Sequence, residues 1–305
     1  MKKSLLQKNG WIAMELAKEF LRMNEGDRIP TVSQLCDKFH TARGTVQIAL
    51  KYLCDSEAIQ LVPRGTLGTT ITRINHRKLL EIADIKTIVG VMPLPYSKLY
   101  EGLATGIYQS VKEMGFPLYL AYMRGAQNRI ELLEEHRYSF AITSRLAAET
   151  FIEQGKDIAI VMDFGMNTYV SEHGIIFHNQ HKTCIEDGMK VGIDRSSIDQ
   201  SILTKRCCGS KKVIYVDVFY NQILEKLNSG EIDAAVWNID ELKDTIWKDR
   251  YIIPTNQYGN TNTETVIVVN KSEDYLCEIL SRFIDKDVVV DIQKRVLEEK
   301  FIPCY

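Results

Sequence analysis

The sequence predicts a small helical domain that ends in a β-hairpin, followed by a larger α/β domain. Two observations support this prediction. Apolar residues recur at helical spacing in three segments before residue 56. From residue 87 onward, short apolar strands alternate with helical segments, which is typical of a mostly parallel sheet covered by helices. With 305 residues, the chain is long enough for two or three compact domains.

The composition is that of an ordinary soluble globular protein, with 45% hydrophobic and 26% charged residues. Gln7, Lys8 and Asn9 interrupt the short apolar run near the start, so we expect no signal peptide. No apolar stretch is long enough to cross a bilayer. The seven cysteines are odd in number and scattered, which favours a reducing compartment. We therefore expect a cytoplasmic protein that has no membrane partner.

The N-terminal segment follows a recognisable order of elements. Residues 9–23, 32–39 and 43–54 are predicted to be helices, and residues 59–62 and 69–72 to be strands around a turn that contains Pro and Gly. This order is typical of a winged helix-turn-helix domain. Its charge agrees with a nucleic-acid role, since the first 76 residues carry eleven Lys and Arg against seven Asp and Glu, whereas the rest of the chain is net acidic.

Sequence motifs in this domain resemble the GntR family of transcription regulators. The matching positions are Gly26, Asp27, Pro30 and Leu35, then Arg43, Thr45, Val46, Ala49 and Leu50, then the turn at residues 64–69. The resemblance covers about 50 residues and implies a partner of double-stranded operator DNA. The family usually has arginine where this chain has Ser33 and Gln47, which puts two of its DNA contacts in doubt.

The resemblance, together with groove chemistry, predicts which residues contact DNA. Arg43 and Gln47 lie four residues apart and share a helix face, where they could read guanine and adenine in the major groove. The hydroxyl groups of Thr31 and Thr45 could bind phosphates. The Gly-rich tip of the wing could approach the minor groove, with Arg64 as its charged contact. The predicted DNA-binding residues are Thr31, Arg43, Gly44, Thr45, Gln47, Arg64, Gly65 and Thr66. The alternative is a degenerate winged helix that serves dimerisation or protein contact.

The second domain is predicted to consist of two α/β lobes. Three motifs support this: residues 88–93, residues 190–197, and residues 227–237 with the pattern L-x-S-G-E-x-D-A-A. They resemble a type 2 periplasmic-binding-protein fold, and the whole chain resembles the YhfZ group of GntR-related proteins. The predicted domains are a winged helix at 1–74, a polar linker at 75–86 and an effector domain at 87–305, with lobe one at about 87–162 and 265–305 and lobe two at about 163–264.

Such a fold is expected to bind a small effector in the cleft between its lobes, at the carboxyl ends of strands. Helix N-termini there favour anions, and Arg145 and Arg195 could supply positive charge from opposite lobes. We therefore expect a small anionic metabolite, such as a carboxylate or a phosphate. The predicted ligand-binding residues are Tyr96, Ser97, Ser144, Arg145, Arg195, Ser196, Ser197, Trp237 and Asn238. The serines could instead cap helices, the arginines could be surface charges, and Trp237 could be core.

Other functional classes find less support in the sequence. His178, His181 and Cys184 could bind a transition metal, with His173 and Asp187 nearby, but the cluster has no second pair of ligands. Cys207 and Cys208 could sense oxidants, but two cysteines adjacent in sequence are poorly suited to a disulfide. The chain contains no nucleophile elbow, P-loop, metalloprotease motif or dinucleotide fingerprint, so we expect neither an enzyme nor a cofactor. Catalysis by Asp163, Glu172 and Asp194, or a ligand-free adaptor, remain as alternatives.

A homodimer is expected, because two-fold operators are read by paired recognition helices. The segment Val288–Tyr305 carries more apolar residues than one helix face needs. We assign it to the predicted interface.

Overall fold

The computed structural model describes residues 8–85, 87–112, 117–242, 245–248, 250–254, 260–273 and 275–305. The chain divides into two compact units. The first unit comprises Met1–Ile88, Met114–Pro117 and Asp274–Phe283, and the second comprises Val89–Glu113, Leu118–Glu273 and Ile284–Tyr305. In the described part of the chain, no helix has the length and hydropathy needed to span a bilayer.

Eleven α-helices and eleven strands are assigned within the described residues. The helices are α1 (Lys8–Leu21), α2 (Val32–Phe39), α3 (Arg43–Asp55), α4 (His76–Ile82), α5 (Lys98–Lys112), α6 (Ala126–Glu134), α7 (Arg145–Glu153), α8 (Ile198–Cys208), α9 (Ile223–Ser229), α10 (Tyr275–Phe283) and α11 (Lys286–Leu297). The strands are β1 (Ile59–Pro63), β2 (Thr69–Ile74), β3 (Ile88–Met92), β4 (Leu118–Tyr122), β5 (Phe140–Ser144), β6 (Ile158–Asp163), β7 (His173–Phe177), β8 (Lys190–Ile193), β9 (Ile214–Asp217), β10 (Ala234–Asn238) and β11 (Thr265–Asn270).

The first unit has the winged helix-turn-helix order that the sequence predicts. Helix α1 buries Leu16 and Phe20 completely, and α3 packs against it through the fully buried Val46 and Leu53. Strands β1 and β2 form an antiparallel hairpin behind the helices. The apolar residues that recur at helical spacing in the sequence are therefore the residues that form the core of this unit.

Two further helices complete the first unit. The segment interpreted as a polar linker instead forms α4, which is capped by the Asn75 side chain and buries Leu79 and Leu80 against α1. Its polar residues occupy the exposed face of an amphipathic helix, which explains why the composition resembled a linker. Helix α10, which follows β11 in the chain, also packs on α1. There, Arg282 donates hydrogen bonds to the Met23 carbonyl at 3.0 Å and to Asn24 Oδ1 at 2.9 Å.

The second unit has two lobes, each built on one sheet. Lobe one contains five strands in the order β4-β3-β5-β11-β6, and lobe two contains four in the order β7-β10-β8-β9. In lobe one β3 and β5 are parallel, whereas β11 runs antiparallel to both of its neighbours. The chain passes from lobe one to lobe two after β6 and returns before β11. The predicted two-lobed α/β fold is thus confirmed.

Two details of the second unit differ from the sequence prediction. The sequence of residues 169–171 predicts a further short strand, but this prediction is wrong, because strand β7 begins only at His173. Helix α7 was not predicted, although Leu146, Ala147 and Phe151 form its buried face. The nine-residue helix is short, so its apolar pattern covers too few turns to stand out.

The C-terminal segment packs within its own domain. Val289, Ile292 and Val296 of α11 are buried against α5. The two helices approach closely at Gly102 and Gly106. A Cβ added at Gly106 would lie 2.6 Å from the Val289 carbonyl oxygen. This contact buries three of the apolar residues that suggested a dimer interface, whereas Val288, Leu297 and Ile302 are exposed. The homodimer therefore stays a prediction.

We predict that Gly106→Ala lowers the free energy of unfolding by about 1–3 kcal/mol, because the methyl group would meet helix backbone that cannot move aside. The matched control is Gly10→Ala in α1, where the space around the glycine is open. That substitution should leave stability unchanged or raise it by up to about 1 kcal/mol. Chemical denaturation of both variants tests this, and equal effects would contradict the close helix contact.

Candidate functional site

The N-terminal end of α3 forms an exposed polar face on the first unit. The helix begins after Ala42, whose methyl side chain offers no acceptor, so the first backbone N–H groups remain available to an anion. Arg43, Gly44 and Gln47 are exposed along this end of the helix, whereas Thr45 is half-buried. An exposed guanidinium and amide one helical turn apart match the groups that read base edges in a major groove.

Thr31 already has structural partners at the start of α2. Its hydroxyl accepts a hydrogen bond from the Gln34 backbone at 3.3 Å, and its backbone N–H donates to Gln34 Oε1 at 2.8 Å. These two bonds form a capping box. Thr31 is also exposed. The residue that caps α2 is therefore also the one that would contact a phosphate.

The wing carries the remaining predicted DNA contacts. Arg64, Gly65 and Thr66 are exposed at its tip, where a short 3-10 turn joins β1 to β2. Gly68 has φ +89°, and an added Cβ there would overlap the guanidinium of Arg28. Arg28 therefore lies across the base of the wing and adds a positive charge that the family pattern did not identify.

A narrow cleft separates the two lobes of the second unit. The cavity has a volume of about 70 Å³. Its walls combine charged, aromatic and hydroxyl-bearing side chains with a few apolar residues. The lining residues are Pro93, Leu94, Tyr96, Tyr100, Arg124, Gly125, Ala126, Arg129, Tyr169, Val170, His173, Asp194, Ser197, Asp199, Tyr220 and Glu241.

Arg129 of α6 is the cationic group buried in the wall on lobe one. Its side chain is 2% exposed. Nη1 donates to the Met123 carbonyl at 2.9 Å and Nη2 to the Tyr169 hydroxyl at 3.3 Å. Its Nε is buried and has no acceptor, and no carboxylate lies within ion-pair distance, among the residues that the structure describes. A buried guanidinium of this kind is costly unless another group compensates it.

Asp199 is a buried carboxylate on the opposite lobe, in the first turn of α8. The Ser144 hydroxyl from lobe one lies 2.7 and 2.8 Å from its two oxygens, so one hydrogen bond links the lobes. Burial raises the pKa of Asp199 to about 6, against the opposing effects of this bond and of the positive charge on Arg129. Ser144 also caps α7 by accepting from the Ala147 N–H at 3.0 Å.

Glu241 supplies a second carboxylate on lobe two, in a short 3-10 turn after β10. Burial raises its pKa to about 7, although the Asn238 amide bonds to it at 3.4 Å. Asn238 is itself buried and caps this turn. At neutral pH this carboxyl group is therefore divided between its charged and neutral forms.

Aromatic rings complete the walls of the cleft. Burial raises the pKa of Tyr100, Tyr169 and Tyr220, so their hydroxyls stay protonated as hydrogen-bond donors. Tyr220 stacks on Trp237 with ring centroids 4.0 Å apart. Trp237 thus supports a cleft residue from behind, within the core.

Arg124 joins the two lobes at the edge of the cleft. Its guanidinium donates to Asn221 Oδ1 at 3.0 Å and lies 4.5 Å from the centroid of the Phe219 ring. Both partners belong to lobe two, so this contact closes the same cleft that the Ser144–Asp199 bond crosses.

The two arginines predicted to bind an anion lie elsewhere. Arg145 forms two hydrogen bonds with Glu264, at 2.5 and 3.0 Å, and this pairing raises its pKa. Arg195 pairs with Asp217 at 2.6 Å on the surface of lobe two. Each guanidinium is therefore neutralised by a carboxylate outside the cleft.

The other predicted ligand-binding residues are divided among several positions. Tyr96 and Ser197 line the cleft, and Ser97 lines an adjoining recess of about 150 Å³ together with Tyr96 and Glu241. Ser196 donates to Asp194 at 2.6 Å and faces a separate surface groove. The cleft therefore brings together part of the predicted set around charges that were not predicted.

A sequence signal for Arg129 does exist. Ala126, Arg129, Ile130 and Leu133 share one helix face by their spacing, and all four are buried. A charged residue at a core position of an amphipathic helix indicates a functional or paired group. Asp199 gave no such signal, because an acidic residue in a first helical turn is common.

Two histidines of the candidate metal cluster, His173 and His178, have other partners. His173 is buried, where burial lowers its pKa to about 4, and its ring bonds to the Asn262 amide at 3.1 Å. The His178 ring lies 2.6 Å from the Leu227 carbonyl. Within the described residues, no three His, Cys, Asp or Glu side chains converge as metal ligands would.

Comparison with protein families supports the division of the chain. A family model described as the YhfZ C-terminal domain matches residues 75–305, which is more than half of the chain. The chain belongs to the YhfZ family. A second model, described as a helix-turn-helix domain, matches residues 24–71. The YhfZ protein of Escherichia coli (strain K12) is 32% identical over 307 residues, which cover 100% of both chains.

Solved structures agree with this assignment. YhfZ from Shigella flexneri is similar at 33% identity and a TM-score of 0.62, covering 75% of this chain and 97% of that one. A periplasmic substrate-binding protein of an ABC transporter from Coxiella burnetii shares the fold at 13% identity and a TM-score of 0.50, covering 72% and 100% of the two chains. This YhfZ-family chain thus combines a helix-turn-helix domain with a domain of the periplasmic-binding-protein fold.

The raised pKa of Asp199 predicts how the stability of this YhfZ-family protein depends on pH. A carboxyl group that binds protons more tightly when folded contributes stability below its unfolded pKa of about 4, and this contribution is lost as the pH rises through about 6. Asp199→Asn should remove that loss, which is on the order of 2 kcal/mol. Denaturation at pH 4.5 and 7.5 tests this.

The matched control is Asp217→Asn, an exposed carboxylate on the same lobe. It should leave the pH dependence unchanged. The same pH slope in Asp199→Asn and in the wild type would contradict the assignment.

Proposed function

We propose that this YhfZ-family protein is a DNA-binding transcription regulator whose affinity for DNA is controlled by a small effector in the interlobe cleft. The observation that carries the proposal is the pairing of an exposed recognition-helix face with a cleft that contains a buried guanidinium lacking a carboxylate partner. We further propose that the protein acts in the cytoplasm, has no catalytic activity, and resembles GntR regulators in its use of the winged helix.

The DNA-binding half of the proposal rests on the exposed end of α3 and on the wing. Arg43 and Gln47 would read base edges, while the open N–H groups after Ala42 and the guanidiniums of Arg28 and Arg64 would bind phosphates. A homodimer would present two such faces to a two-fold operator.

The effector would carry an anionic group, as the sequence led us to expect, but Arg129 would receive it in place of Arg145 and Arg195. Arg129 is the buried guanidinium in the cleft wall, and an incoming carboxylate or phosphate would compensate its charge. Because residues of both lobes line the cleft, such a ligand would change the balance between its open and closed forms.

A ligand-free adaptor is the second candidate, and the small cavity volume favours it. A cleft of about 70 Å³ leaves little room unless the lobes separate. The buried charges argue against this alternative, since apolar packing would stabilise a permanently closed cleft better than unpaired ions do.

Two variants test the two halves of the proposal separately. The full chain is first used to select a DNA duplex from a random pool, and a library of carboxylate and phosphate metabolites is screened for the compound that raises the melting temperature of the protein most. Fluorescence anisotropy then measures the affinity for this duplex with and without that compound. Arg43→Ala should weaken DNA binding by about 1–3 kcal/mol and keep the metabolite response. Arg129→Gln should keep basal DNA binding and lose the response.

Arg137→Ala controls for the loss of an exposed positive charge and should behave as the wild type. Equal DNA affinity of Arg43→Ala and wild type would contradict the DNA-reading role. A library in which no compound raises the melting temperature or alters DNA affinity would contradict control by an effector and favour the adaptor.

A further inference from the structure

The interlobe cleft contains fixed charges of both signs, and this restricts the ligands that it can hold. We infer that the effector is a small zwitterion whose carboxylate is held by Arg129 and whose ammonium group is held by Asp199 and Glu241. This inference rests on the proposed function, because it names the class of ligand for the same cleft.

Arg129 provides the positive end of the site. A guanidinium has five N–H donors in a planar fork, and the bonds to Met123 and Tyr169 engage Nη1 and Nη2 once each. The Nε donor has no acceptor among the described residues. The donors left over suit a carboxylate, which can accept two parallel bonds from one guanidinium.

Asp199 and Glu241 provide the negative end, and both come from lobe two. Asp199 receives the Ser144 hydroxyl and Glu241 receives the Asn238 amide. These donors are neutral, and within the described chain neither carboxylate forms an ion pair with Lys or Arg. Asp199 is stabilised only by the more distant charge of Arg129, and burial, which raises the pKa of Glu241 to about 7, leaves that group partly protonated. Two acceptor groups on one side of a cleft suit an ammonium group, which has three donors and no acceptor.

Ligands with a single charge fit this arrangement less well. A simple anion would satisfy Arg129 but would lie near the carboxylates of Asp194, Asp199 and Glu241. A simple cation would satisfy carboxylates but would lie near the guanidiniums of Arg124 and Arg129. Each would leave at least one buried charge without a partner, which is unfavourable in a site of low dielectric constant. A zwitterion compensates both ends at once.

The size of the site and its tyrosine walls limit the rest of the ligand. The cavity of about 70 Å³ accommodates a small polar group, and the adjoining recess of about 150 Å³ shares Tyr96 and Glu241 with it. A short substituent could therefore extend from the charged groups into the recess. Tyr100 and Tyr220 supply aromatic wall to the same cleft.

The inference is tested by calorimetry on the full chain with matched compounds. The panel contains the common α-amino acids and, for each, the acid that lacks the amino group and the amine that lacks the carboxyl group. We expect at least one amino acid to bind, and removal of either charged group to weaken binding at least about tenfold, as expected for loss of a buried charged hydrogen bond.

Variants assign the two ends of the ligand to the protein. Asp199→Asn and Glu241→Gln should each weaken amino-acid binding at least about tenfold and leave binding of the matched acid unchanged or stronger. Asp217→Asn, at an exposed position on lobe two, serves as the control and should change neither. A purely structural role of Asp199 would weaken both compounds alike.

The outcomes distinguish this inference from the proposed function. If an acid without the amino group binds as tightly as its amino acid, the zwitterion is contradicted. The zwitterion is also contradicted if a compound of the metabolite library binds and alters DNA affinity while no amino acid binds. In that case the proposed function stands. If no compound of the panel or of the library binds, both fail.

Discussion

The second unit depends on the electrostatic cost of the charges buried between its lobes. Arg129 on one side and Asp199 on the other are almost completely inaccessible to water, yet they lie beyond ion-pair distance of each other. Charges in such a site are stabilised by exact geometry or by a ligand, and they make an empty closed cleft less favourable than an apolar one. These buried charges are the basis of the inference that a molecule with opposite charges completes the cleft.

The surrounding fold brings these charges together from distant parts of the chain. Arg129 lies on a helix of lobe one, whereas Asp199 follows a strand of lobe two, and Ser144 connects the two lobes. The chain also returns to the first unit at α10, after β11, and leaves it again before α11, so the two units are joined at several points along the chain. A change in lobe closure can therefore reach the DNA-binding unit along more than one stretch of chain.

The sequence predicted the elements better than it predicted the site. Periodic apolar residues identified the winged helix and the alternation of strands and helices from residue 87 onward, because each such pattern is a property of one segment. The cleft chemistry depends on partners far apart in sequence: Arg145 looks free until Glu264 is placed beside it, 119 residues away. Likewise, α4 resembled a linker because its buried leucines face a helix that local composition cannot reveal.

The central claim is that effector binding and DNA binding are coupled, and linkage between them tests it most directly. Calorimetry measures the effector's Kd for the free protein and for its complex with the selected DNA duplex. Because coupling is reciprocal, the ratio of these two constants should differ from one and should equal the factor by which the effector changes the Kd for DNA. An identical effector Kd with and without DNA would contradict the account.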